Sequence, residues 1–305
     1  MNEILLSICI PTYNRCEILR ETLMNIFEDP DYDPSLVEVI VSDNCSSDET
    51  EKVVKEFKNV IYKRNDSNIK DDNFSKVLSY GRGEYLKLLN DTQVLKPGTL
   101  KFFLEKIELH LNTKENILFY LNYYRHQDCK ITSQDIEGFI NAVSYFNTWV
   151  ANYGVWRSDF EDIADKNRYS KLQFVQVDWS FKTAKSNKVT IVYFGDYFKI
   201  LTPKVKGGYN LIKTFTRNYL DILKGEKISL FQYEKEKYFL CRYFLFSWLT
   251  EILITDKSRY NFQSENALFI IFRRYWYEPY YYILICVFAF KKFKLKLNDF
   301  GTSKG

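Results

Sequence analysis

The chain has 305 residues, 46% of them apolar, enough for one large domain with an appendage or two smaller domains and too apolar for a disordered chain. Its 43 basic and 39 acidic residues leave a net charge of +4, a mixed balance that selects no partner by itself. Six cysteines (9, 16, 45, 129, 241 and 286) form no CxxC pair or dense disulfide pattern, and two histidines, His110 and His126, argue against a His-rich zinc site or a histidine triad.

Acid–base work therefore falls to carboxylates. The cysteine spacing fits a reducing cytoplasm, and the opening MNEILLSICIPTYNR, with no basic n-region or small-residue cleavage site, reads as a first strand. Leu5 to Ile10 is that strand, broken by Pro11. Asn14 and Glu17 supply a capping-box start to a helix carrying Leu19, Thr22, Leu23, Ile26 and Phe27. Val37 to Val41 is a second strand, SDNCSSDET a polar loop, and Ser46 with Glu49 a cap for a helix bearing Val53, Val54 and Phe57. Asn59 to Tyr62 predicts a third strand, Asn73 to Tyr80 a helix, and Tyr85 to Leu89 a fourth strand ending in NDTQ. Pro97 opens a helix whose Leu100, Phe103, Leu104, Ile107 and Leu111 share a face. Strand-like runs follow at 117–121 and 189–194, and strand periodicity ends near Pro203.

This alternation predicts an α/β domain over residues 1–205. The KGG of 206–208 marks a boundary to a helical, aromatic-rich region, 206–305. That region ends in YEPYYYILICVFAFKKFKLKL, whose apolar run from Tyr280 to Phe290 is shorter than the ~20 residues of a spanning helix. With its lysine cluster it reads as an interfacial anchor making peripheral membrane contact, or else as a terminal helix docked on the core.

Ligands of open α/β sheets bind at the carboxyl ends of the strands, which directs attention to the loops after strands one, two and four. The first, PTYNR, has no glycine, which excludes the G-x-G-x-x-G dinucleotide loop; Walker and kinase phosphate loops are absent as well. A nucleotide here must be recognised by side chains.

In order, ICIPTYNR, VIVSDNCSSDET and GRGEYLKLLNDTQVLKPG resemble the successive signatures of family 2 glycosyltransferases of the GT-A fold, over roughly residues 4 to 110. GVWRSDF and KGGYNLIKTFTRNYLDIL resemble the bacterial, abequosyltransferase-like branch that builds O-antigen and other surface polysaccharides. The resemblance implies a GT-A domain in which Pro11, Tyr13 and Arg15 line the nucleotide pocket, the ring stacking on the base and the guanidinium forking onto phosphate. It implies that Asp43 accepts a hydrogen bond from the imide of a pyrimidine base, with Asn44 in support. Asp48 is expected to serve a helix N-terminus instead. Asn73 and the stretch Arg82 to Glu84 match segments that flank the nucleotide, although each could simply cap or turn the chain.

The fourth loop departs from the family pattern, because Asp91, Thr92 and Gln93 stand where relatives carry a run of aspartates. In that pattern the first aspartate approaches the ribose and sugar and the last ligates a divalent cation. Asp91 with the Gln93 carbonyl could hold a weak Mg²⁺ or Mn²⁺ site; otherwise Arg15 or another cation takes that charge, or catalysis is slow or lost. An inverting transfer needs a base, and Asp178 in LQFVQVDW is the leading choice, with Trp179 as a wall for a sugar ring. Asp159 and Asp162 follow, and Trp156 is either core or acceptor platform.

The expected reaction is inverting transfer from a nucleoside-diphosphate sugar, a UDP-sugar foremost, to a glycan or polyprenyl-linked oligosaccharide, at the cytoplasmic face of the inner membrane and with no nucleic acid involved. The alternatives are a catalytically impaired nucleotide-sugar-binding assembly partner and a sugar nucleotidyltransferase; the glycine-free first loop speaks against the latter.

Overall fold

The computed structural model describes residues 4–122, 127–186, 188–202, 209–253 and 262–302. Its contacts divide the chain into two compact units, Met1–Pro203 and Lys204–Gly305. The KGG of 206–208, Pro203 and His126 lie outside the described residues.

Unit 1 opens with β1 (Leu6–Thr12), α1 (Cys16–Phe27), β2 (Val37–Asp43), α2 (Thr50–Val54) and β3 (Val60–Arg64). It continues through α3 (Asp72–Ser79), β4 (Tyr85–Leu88), β5 (Gln93–Leu95) and α4 (Thr99–Leu109). The rest is less regular: β6 (Asn116–Leu121), β7 (Cys129–Ser133), α5 (Ile136–Val143), two short 3-10 turns, β8 (Gly154–Trp156), α6 (Arg157–Glu161), a third 3-10 turn, α7 (Val175–Ala184), β9 (Thr190–Gly195) and β10 (Phe198–Ile200).

The main sheet has the order β3-β2-β1-β4-β8. Its first four strands are parallel, and β8 closes the β4 edge antiparallel, Tyr85 opposite Trp156. A three-stranded sheet, β6-β9-β7, and a two-stranded ribbon, β10-β5, complete the unit. The central strands are mainly apolar because both faces are covered, with Ser7, Glu38 and Lys87 buried among the apolar side chains. Leu6, Ile8 and Ile10 of β1 face a core shared with Leu19, Leu23, Phe103 and Phe119, while Cys9 faces Val77, Leu78, Val175 and Trp179.

Pro11 does not end the first strand, which runs on to Thr12 in register with Asp43. The β4 pairing stops at Cys9 opposite Leu88, and Pro11 shares the β4-facing side with Cys9. Its missing N–H therefore falls where no neighbour asks for one. The two predicted capping boxes do not form, since α1 and α2 have no side-chain cap at Arg15 or Glu49. Asn14 and Ser46 bond each other's loops instead.

Unit 2 is helical: α8 (Leu211–Lys213), a π-helical turn (Thr214–Tyr219), α9 (Leu220–Lys224), α10 (Leu230–Phe239), a second π turn (Leu240–Leu245), α11 (Phe246–Leu253), α12 (Ala267–Tyr275) and α13 (Pro279–Thr302). Its packing centres on the buried ammonium of Lys237, which meets the Glu234 carboxylate at 3.1 Å, the Tyr277 hydroxyl at 2.8 Å and the Glu278 carboxylate. A buried charge is tolerable only when paired in this way. No described helix is long and apolar enough to cross a membrane.

Candidate active site

Parallel pairing brings the ends of β1, β2 and β4 to one edge of the sheet, and with them the three polar loops. Asn44 N–H donates to Thr12 O at 2.9 Å and Asn65 N–H to Asp43 O at 2.9 Å, so the loops after β1, β2 and β3 are tied by backbone. Asn14, in the left-handed region at φ 51°, links the first loop to the second: its N–H donates to Ser46 Oγ at 2.8 Å and its Oδ1 accepts from Ser47 N–H at 2.7 Å. Asn tolerates that backbone shape better than most residues. Asp48 accepts from Cys16 N–H at 3.0 Å and from Thr50 N–H at 3.1 Å, serving the first turns of two helices at once.

Asp43 is fully buried. Its Oδ1 accepts from Ser46 N–H at 2.9 Å, and its Oδ2 accepts from the Tyr62 hydroxyl at 2.7 Å and from Arg64 at 3.0 Å. A carboxylate has about four acceptor positions, so one remains. Burial, and then the bond to Asp43, push the Tyr62 phenol well up. Neither Tyr62 nor Arg64 was expected at the site, because the third strand was read as ending at Tyr62. Their signal was present in period-two alternation, which puts 62 and 64 on one face of β3, with Arg64 in register beside Asp43.

Asn44 and Asn73 act one layer further out. Asn44 Oδ1 accepts from Ile69 N–H at 2.9 Å and its Nδ2 donates to Asn68 at 2.9 Å. Asn73 Oδ1 accepts from Ser42 Oγ at 2.6 Å and from Asn65 Nδ2 at 2.9 Å, and its Nδ2 donates to Ser42 O at 2.9 Å. Together they hold the 65–70 loop and the end of β2.

Asp91, also buried, receives the Thr12 hydroxyl on Oδ2 at 2.9 Å and Arg15 on Oδ1 at 2.8 Å. Thr22 donates to its backbone carbonyl at 2.9 Å. Burial raises the Asp91 carboxyl above its ordinary pKa, and the Arg15 charge works against that rise. Arg15 keeps 40% of its side chain exposed, and Tyr13 is 44% exposed, so both present surface to an incoming ligand. Pro11 sits half-buried between the paired strands.

The donor set does not fit a divalent cation as it stands. Each Asp91 oxygen already accepts one hydrogen bond, the one on Oδ1 coming from the cationic Arg15, and the Gln93 amide oxygen accepts from Asn90 N–H at 3.3 Å. The uncommitted end of Gln93 is Nε2, a buried donor with no hydrogen-bond partner, whereas a metal requires an acceptor. No group of three His, Cys, Asp or Glu is assembled among the described residues.

Arg82 to Glu84 lie at the other, amino end of the sheet, which corrects their expected place beside the nucleotide. Arg82 donates to Glu38 at 2.9 and 3.0 Å, and Gly83 N–H donates to Ser7 Oγ at 2.8 Å. A Cβ on Gly83 would come within 2.7 Å of Ser7 N, so the close approach demands glycine. Glu84 pairs with Lys114 and stands 3.7 Å from Arg157.

Asp178, in α7, is 1% exposed and paired with Arg168 and with Lys182 at 2.8 Å. The side chain of Arg168 is 42% exposed. Trp179 is not a wall for a sugar: its ring is fully buried against Tyr153 and Phe160, and its Nε1 donates to Lys166 O at 2.9 Å. Trp156 is core as well, donating to Glu115 O at 2.6 Å. Asp159 pairs with Lys188, and Asp162 is exposed.

Four parallel strands with acid-bearing loops at their carboxyl ends, and an antiparallel strand closing one edge, make this a GT-A type glycosyltransferase fold. Staphylococcus aureus TarS 1–349 in complex with UDP-GlcNAc shares it, with a TM-score of 0.56 at 15% identity over 76% of this chain and 70% of that one. The mannosyltransferase PcManGT from Pyrobaculum calidifontis, solved with GDP-Man and Mn²⁺, gives 0.55 at 14% identity over 80% and 72%. Residues 7–174 match the model of glycosyl transferase family 2, and the chain belongs to that family. Abequosyltransferase RfbV of Salmonella typhimurium is 35% identical over 102 residues, 32% of this chain; the match spans 30% of that relative's length. This chain also spans 46% of a longer TarS chain, with a TM-score of 0.57 at 16% identity.

Proposed function

We propose that this protein transfers a sugar from a nucleoside-diphosphate sugar, with inversion, to a glycan or polyprenyl-linked oligosaccharide in bacterial surface polysaccharide synthesis. The observation that carries the reading is the convergence of Tyr13, Arg15, Asp43 and Asp91 at the carboxyl ends of three adjacent strands. In this scheme the Tyr13 ring stacks on the base, and Arg64 turns outward so that the last acceptor position of Asp43 meets the base imide. Arg15 leaves Asp91 for the diphosphate oxygens, and Asp91, released, accepts from a hydroxyl of the ribose or sugar. Arg168 swings away from Asp178, and the carboxylate so opened accepts the proton of the acceptor hydroxyl as that oxygen bonds to the anomeric carbon. The bond from that carbon to the diphosphate breaks, and its electron pair leaves with the diphosphate.

A divalent cation, such as accompanies GDP-Man in the Pyrobaculum mannosyltransferase complex, would have to displace Arg15 from Asp91. UDP comes first among donors because the TarS complex carries UDP-GlcNAc. In this reading the reaction runs at the cytoplasmic face of the inner membrane.

Calorimetric titration with UDP, GDP, CDP and TDP, each with Mn²⁺ and with EDTA, tests the reading. Micromolar binding of one diphosphate that Asp43→Asn weakens supports it; no binding to any of the four overturns it. Persistence in EDTA assigns the phosphate charge to Arg15, and loss in EDTA assigns it to metal. Bound donor that is neither transferred nor hydrolysed points to the assembly-partner reading, which the pairing of Asp91 with Arg15 favours.

A further inference from the structure

The exposed side of α12 and α13 does not resemble a solvent face. Helix α13 buries Tyr281, Leu284 and Phe288, a spacing of three and four that marks one helical stripe. Around the rest of the helix Ile283 is 66% exposed and Phe290 68%, with Tyr282, Val287 and Phe293 also exposed. Helix α12 repeats the arrangement: Ile270, Ile271 and Tyr275 are buried while Phe269, Phe272 and Trp276 are exposed. Water-facing helices of monomeric proteins rarely leave so many large apolar side chains uncovered together.

The described charged side chains of α12 and α13 are all cationic, and one exposed carboxylate, Glu265, stands just ahead of α12. Exposed Lys291, Lys292 and Lys294 follow the apolar stretch of α13, and exposed Arg273 lies on α12. The carboxylate between them, Glu278, is engaged with Lys237 in the interior. A groove of about 470 Å³ runs between α11 and α13, floored by Phe246, Leu284 and Phe288 and flanked by the cations Arg242 and Lys291. The hydroxyls along it, Ser247 and Thr250, are turned back onto the carbonyls of Tyr243 and Phe246 at 3.0 and 2.8 Å, which leaves the floor apolar.

An apolar floor with cations at its rim suits a molecule with a hydrocarbon chain and an anionic head. We infer that the α12–α13 face is a docking surface for an anionic lipid bilayer: the exposed aromatic and aliphatic side chains enter the headgroup boundary, and the groove takes an acidic lipid headgroup between Arg242 and Lys291. Lysine stems can lie along the apolar layer while their ammonium groups reach lipid phosphates. This inference is independent of the transferase reading, because every residue it uses lies in unit 2 and its readout needs no activity.

Co-sedimentation of the full chain with phosphatidylcholine vesicles, and with vesicles containing about one third phosphatidylglycerol, provides the test. The anionic vesicles should retain the protein about tenfold or more above neutral ones, with the excess lost at high salt. The double variant Lys291→Glu/Lys292→Glu should remove most of that excess. Ile283→Ser/Phe290→Ser should reduce binding to both vesicles, and Leu109→Ser, at an exposed position of unit 1, should leave binding unchanged. Melting curves confirm that the variants are folded. Equal retention on both vesicles, insensitivity to the lysine reversals, or absent vesicle binding with a dimer in light scattering that Phe290→Ser dissociates would each overturn the inference, the last showing a second copy of the chain as the occupant.

Discussion

The loop after β4 and helix α7 each hold a carboxylate closed off from solvent and paired with cations, yet the two pairings are built differently. Asp91 draws its partners from the loop after β1, with Arg15 76 residues away in sequence, so its setting depends on strands being in register. Asp178 draws Arg168 from ten residues away and Lys182 from the next turn of its own helix, so its setting is local. The proposed function adds a division of labour in which the strand-end loops recognise the nucleotide and α7 handles the acceptor proton.

Kinetics can break that division. Asp178→Asn should lower transfer by on the order of 10²–10⁴-fold while leaving diphosphate affinity by calorimetry within a factor of two or so. A parallel loss of affinity would put Asp178 on the nucleotide side. Asp43→Asn should weaken diphosphate binding by roughly 10–100-fold, the effect of losing a charge-assisted bond, and should raise KM more than it lowers kcat. Arg15→Ala is expected to weaken binding about tenfold and to leave the buried Asp91 without its guanidinium. The Asp91 carboxyl then titrates at still higher pH, and the acid limb of the pH–rate profile should move up.

The smallest effect concerns the loop rather than the chemistry. Burial, reinforced by Asp72, pushes the Asp71 carboxyl up to about 6. A raised carboxyl favours the folded state while protonated, so this contribution is full below the unfolded value near 4 and declines as pH rises to about 6. Asp71→Asn should therefore stabilise the fold above pH 7, by at most about 3 kcal/mol for a shift of this size, raising the thermal midpoint there and changing it little near pH 4. An increase of equal size at both pH values would show that charge is not the cause.

The sequence reading was most complete in the first hundred residues. Strands at 6–12, 37–43 and 85–88 and helices at 16–27 and 72–79 lie within a few residues of their expected ranges. It was thinner between 122 and 189, where β7, β8, α5, α6 and α7 are short, and where β8 and α7 are buried along their length. α7 buries nine of its ten residues, and a helix surrounded by protein has no polar face to give it a period. Trp179 was misjudged, and Trp156 left open between core and acceptor platform, for the same reason. An indole beside a carboxylate looks the same in sequence whether it faces a sugar or the core.

Local chemistry alone determined the α/β alternation and the three polar loops, because strands covered on both faces must be apolar along their length and can turn polar only where they leave the sheet. Tertiary structure alone decided what those loops do with their charges: Arg64 and Tyr62 on Asp43, Arg15 and Thr12 on Asp91, Arg82 turned to the opposite end of the sheet, and β8 reversed against β4. Apart from the antiparallel β8, these partners are joined by parallel pairing across intervening helices. A contact made that way leaves no periodic trace in the residues between, which is why it becomes visible only once the strands are laid side by side.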